Sequence, residues 1–65
     1  MSDYKVLVHV AKLIKETRAD QESFLASGRA ADHAEYRHVC GIIRGLNTAE
    51  QFINDLVQRL ETDDD

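Results

Sequence analysis

No proline occurs anywhere in the 65 residues of this chain, tryptophan is absent, and there is one cysteine. Without proline, nothing in the covalent chain forces a helix to stop. The lone Cys40 excludes an intrachain disulfide, and no Cys/His set has zinc-finger spacing. Set within a helical apolar pattern, Cys40 reads as a reduced, intracellular small hydrophobe. Glycine is also scarce, with three residues, and there is no glycine-rich phosphate loop, no Gly- or Ser-rich linker and no internal repeat. The most apolar stretch, Val6 to Ile14, is broken by His9 and Lys12 and is too short to cross a bilayer. It also makes a poor signal peptide, because it carries charge and no small-residue cleavage site follows it. Residence in the cytoplasm, or in a particle assembled there, is the resulting expectation.

Positive charge is in short supply. Eight Lys and Arg face twelve Asp and Glu, a net charge of −4 with a pI near 5.2. Nonspecific nucleic-acid binding needs a basic face that displaces counterions, so this balance argues against nucleic acid as a partner. The one basic stripe, Lys5, His9, Lys12 and Lys15, reads as a solvated helix face. In an antiparallel hairpin it would lie beside Asp55, Glu61 and the acidic tail, in exposed pairs worth a few tenths of a kcal/mol each, roughly.

What the chain does have is helical periodicity. Val39, Ile42, Leu46, Ala49, Ile53, Leu56 and Leu60 advance by three and four residues alternately, which keeps one apolar stripe on one face of a long helix. Upstream, Val6, Leu7, Val10, Leu13, Ile14, Thr17, Phe24 and Leu25 recur mostly at helical spacing, with Val8 as the misfit, behind Ser2 or Asp3 as N-cap. Lys5 to Val10 alternates imperfectly like a strand, but the chain offers no second strand to pair with it. Between Thr17 and Gln21 the apolar pattern weakens, which predicts either fraying or a polar site.

Ser27-Gly28-Arg29 marks the joint, with Gly28 suited to the left-handed conformation that ends a helix. Asp32 and Glu35 stand in a D-x-x-E pattern close to a capping box. The expectation is an all-α, antiparallel two-helix hairpin over residues 1–62: a helix at about 3–27, a turn at about 28–31, a helix at about 32–61, then a frayed acidic tail at 63–65. A domain this small buries about 60% of its unfolded surface, so the long stripe predicts completion as a helical bundle by oligomerisation. The association stripe is assigned to Val39, Ile42, Leu46, Ile53, Leu56 and Leu60, with Leu7, Val10, Ile14 and Phe24 as cover. Gly41 and Gly45, spaced i,i+4, are assigned to a close helix approach, in the hairpin or between chains.

Catalytic patterns are lacking. His9, His33 and His38 belong to no Ser/His/Asp or H-E-x-x-H arrangement, and His38 and Cys40, two apart on a helix, point away from each other. No enzyme activity and no cofactor are therefore expected. Glu35-x-x-His38 resembles the ligand pair of ferritin-like di-iron bundles. A hairpin turning near Gly28 would set Glu22 opposite, making Glu22, Glu35 and His38 the outside candidates for a metal site against the simpler reading of a solvated face.

The stretch Tyr36-Arg37-His38-Val39-Cys40-Gly41-Ile42-Ile43-Arg44-Gly45-Leu46, continuing through Ala49-Glu50, Ile53, Asp55-Leu56 and Arg59, resembles small uncharacterised helical proteins of tailed bacteriophages. The C-G-x-I-x-G-L core and the D-L-x-x-R ending carry that resemblance, over roughly residues 35–65. It implies no catalytic residues. It implies a small accessory or virion protein made in the cytoplasm of an infected bacterium, acting by self-association or by docking on a larger phage protein. The alternative is an effector that binds and inhibits a host protein.

Overall fold

Gly28 is where the chain reverses. Its φ of 75° is a left-handed value open to glycine at no steric cost, and its amide closes back on the Leu25 carbonyl at 3.1 Å. In the computed structural model, which describes residues 3–63, helix α1 spans Asp3–Ala26 and helix α2 spans His33–Asp63, packed antiparallel. The candidate cap Ser2 and the tail residues Asp64 and Asp65 lie outside the described residues. Asp3 sits inside the first turn of α1, where its charge favours the positive helix pole.

The turn is held by short-range chemistry. Ser27 Oγ donates to the Phe24 carbonyl at 2.8 Å and accepts from Arg29 Nε at 2.8 Å. That places the Arg29 guanidinium 5.3 Å from the Phe24 ring centre, a cation–π distance. The Asp32 carboxylate accepts from the Glu35 amide at 2.8 Å, and the Glu35 carboxylate accepts from the Ala31 amide at 3.1 Å. This is a capping box whose return bond reaches one residue further upstream than usual.

The second helix runs two residues beyond the expected end. Thr62 and Asp63 are helical, and Thr62 Oγ1 donates to the Gln58 carbonyl at 3.0 Å. The hydroxyl thus bonds within its own helix, so the last turn continues despite the acidic residues there. The result is a rod of 50 × 17 × 14 Å, its length set by the rise of about 1.5 Å per residue along α2.

The seam between the helices uses Leu7, Ala11, Ile14, Arg18, Gln21 and Leu25 of α1. From α2 it takes Val39, Ile43, Leu46, Glu50, Ile53, Val57 and Leu60, all buried or half-buried. Both sets advance by four and three residues alternately, the spacing of two helices in coiled-coil-like contact. This corrects the expected stripe in part. Val39, Leu46, Ile53 and Leu60 do face α1, but Ile43 and Val57 occupy the places assigned to Ile42 and Leu56, which are 36% and 45% exposed. Leu7, Val10, Ile14 and Phe24 are half-buried on the α1 side. Among the described residues only Ala11 and Val39 are buried, and no large side chain is fully enclosed.

Candidate association face

The two long sides of the rod differ in chemistry. One side holds the polar bonds that tie the helices together. Tyr4 Oη donates to Glu61 Oε1 at 2.8 Å. At mid-rod the Arg18 guanidinium donates to Asn47 Oδ1 at 2.9 Å and pairs with the Glu50 carboxylate, which Lys15 approaches to 3.7 Å. The hydrogen bond to Glu61, and then the charge on that carboxylate, hold the Tyr4 phenol above its ordinary value by favouring the neutral donor. The polar gap at Thr17 to Gln21 is therefore ordered helix that carries the Arg18 bridge. Within the basic stripe Lys15 meets Glu50, and at the open end Glu61 accepts from Tyr4.

The other side is apolar and uncovered. Val6 and Leu7 of α1 and Leu56 and Leu60 of α2 line one open depression of about 470 Å³, with Asp3 and Arg59 at its rim. Towards the turn, Phe24, Val39 and Ile42 line another, edged by Asp20, Arg29, Glu35 and His38. Phe52 stands one helical turn before Leu56 and shares a surface hollow with it. Along α2 the spacing Ile42, Gly45, Ala49, Phe52, Leu56 is a second stripe, beside the seam and turned away from it. Exposure is 64% at Phe52, 45% at Val6 and Leu56, and 47% at Leu13, which follows Val6 by two helical turns.

Gly45 belongs to this stripe, while Gly41 lines a separate hollow with Tyr36, Arg37, Cys40 and Arg44. A Cβ added to Gly41 or Gly45 would meet nothing within 4 Å, so close approach inside the hairpin is not the reason for either. Cys40 is a half-buried free thiol.

The outside metal candidates are not brought together. Glu35 is engaged in capping, Glu22 is an exposed partner of Arg18 at 4.0 Å, and His38 sits at the edge of the turn-end depression. Among the described residues no group of three His, Cys, Asp or Glu could hold a metal ion. No described helix is long and apolar enough to cross a membrane.

No protein-family model matches this chain, and no curated protein or solved structure matches it. The apolar face, Val6, Leu13, Ile42, Phe52 and Leu56 on one side of a hairpin whose other side is bonded shut, is thus the feature on which a function has to rest.

Proposed function

We propose that this protein is a non-enzymatic association module that works by docking its apolar face on another protein surface. The observation that supports this is the alignment of Val6, Leu13, Ile42, Phe52 and Leu56, five of the eight large exposed apolar side chains among the described residues, on one side of the rod, with Tyr4, Val8 and Tyr36 outside it. Scattered surface hydrophobes are ordinary, but a contiguous stripe over both helices is the signature of an interaction site. Phe52 is its centre, a large rigid side chain of the kind that anchors interfaces. The resemblance of α2 to small proteins of tailed bacteriophages supplies the setting, a structural or accessory role in virion assembly with the host cytoplasm as the site of synthesis.

A photo-reactive phenylalanine analogue placed at Phe52, with a control at Glu16, tests the face during production in cells. Protein adducts are expected from position 52 and not from 16. Equal labelling, or none at 52, overturns the reading. Mass spectrometry of purified virions tests the setting, because a chain missing from the particle has no structural place in it.

A further inference from the structure

We infer that the occupant of the apolar face is a second copy of this chain, packed face to face with its long axis reversed about a twofold axis near Ala49. This rests on the reading of the face as an association site and adds the partner and its orientation.

Area makes the first argument. The chain exposes 5051 Å², against about 4,200 Å² for a globular chain of 7.4 kDa. The excess, on the order of 800 Å², is what one partner buries in a stable pair of standard size. A face some 50 Å long and 17 Å wide has room for it.

Shape fixes the orientation. Phe52 is the most exposed large apolar side chain of the face, and Gly45, two turns earlier on the same stripe, leaves open space where a side chain would stand. Rotation about an axis midway between them sets each Phe52 over the Gly45 of the other copy, with the small Ala49 beside the axis. The same rotation sets Leu56 near Ile42 and Leu13 near Phe24. In the alternative pairing, with both turns at one end, α2 would lie over α1 of the second copy. Phe52 would then meet Leu13, bulk against bulk, and Gly45 would face Thr17 and Asp20 across a void, an arrangement that forfeits contact.

Charge agrees with the reversed pairing. Arg59, at the rim of the open-end depression, comes within one helical turn of Glu35 on the second copy. Each half of the twofold contact repeats the other, as a closed isologous pair requires.

Light scattering across a concentration series should give twice 7.4 kDa, with Phe52→Ala and Gly45→Leu each weakening the pair by more than about tenfold. Orientation is read independently with His38→Cys and Arg59→Cys chains, each carrying Cys40→Ala. Oxidation of the two mixed should give a 38–59 disulfide between chains. A dimer that yields no such mixed disulfide overturns the reversed arrangement. A 7.4 kDa species at every concentration, with Phe52 still cross-linking a different protein, removes the second copy but leaves the association reading standing. A monomer with no cross-link at Phe52 removes both.

Discussion

Tyr4 and Glu61 lie 57 positions apart in the chain and share a hydrogen bond of 2.8 Å across the open end of the rod. The bond needs the phenol proton, so the fold favours the neutral form and raises the Tyr4 value above 10.0. A group raised in this way contributes fully below its unfolded value and loses that contribution as pH rises through the folded one. The clasp should therefore hold through neutral pH and open in alkali. In a Tyr36→Phe background, where Tyr4 is the one remaining tyrosine, Glu61→Ala should lower the ultraviolet titration midpoint of Tyr4. An unchanged midpoint would mean that the two groups do not meet in solution.

The mid-rod bridge predicts an asymmetric mutational response. Glu50 is 13% and Arg18 23% exposed at the side chain. Glu50→Leu alone should cost about 1–3 kcal/mol, because it removes the best-buried charged partner of a partly buried guanidinium and leaves it Asn47 and the exposed Glu22. Arg18→Leu with Glu50→Leu should recover most of that or exceed the parent, since matched apolar groups often replace a half-buried ion pair without loss. Urea unfolding at fixed protein concentration measures both.

Two glycines should respond in opposite directions. Gly28→Ala forces a Cβ into the left-handed region and should destabilise by about 1 kcal/mol. Gly41→Ala meets open space in a helix interior and should stabilise by about 0.5–1 kcal/mol. Thermal melts followed by circular dichroism give the two signs.

At the start of α2, Asp32→Ala should cost about 1 kcal/mol by freeing the Glu35 amide. Asp32→Ser should restore most of it. Equal melting temperatures for all three chains would show that the cap adds nothing.

Val39 and Leu56 separate the seam from the open face. Val39 is 5% exposed, and Val39→Ala should cost about 2 kcal/mol at every protein concentration. Leu56 is 45% exposed, so Leu56→Ala should cost about 1 kcal/mol or less in dilute solution. Its cost should grow as the concentration rises and the face is covered. A comparison of melts at low and high concentration checks the difference.

The hairpin, the Gly28 reversal and the Asp32–Glu35 cap were legible in the sequence because each depends on chemistry within a few residues. The seam was half legible. Ile42 and Ile43 are adjacent, as are Leu56 and Val57, and both members of each pair continue a three-four spacing. An apolar arc this wide holds two interleaved stripes, and periodicity alone does not choose which one meets α1. Glu50 concealed the answer further, because a carboxylate in the seam reads as a reason to look elsewhere. Arg18 left a trace only as the polar gap around it, since a bond spanning 32 residues has no local signal.

The bridge at Arg18 and Glu50 also decides how far one helix can slide along the other. Shifting α1 by seven residues in either direction would keep the four-three spacing and still match apolar side chains over most of the length. It would, however, set the guanidinium against Ile43 or Val57 and strand Glu50 opposite Ala11 or Leu25. One ionic bolt near the midpoint thus gives an otherwise repetitive zipper a single closed position.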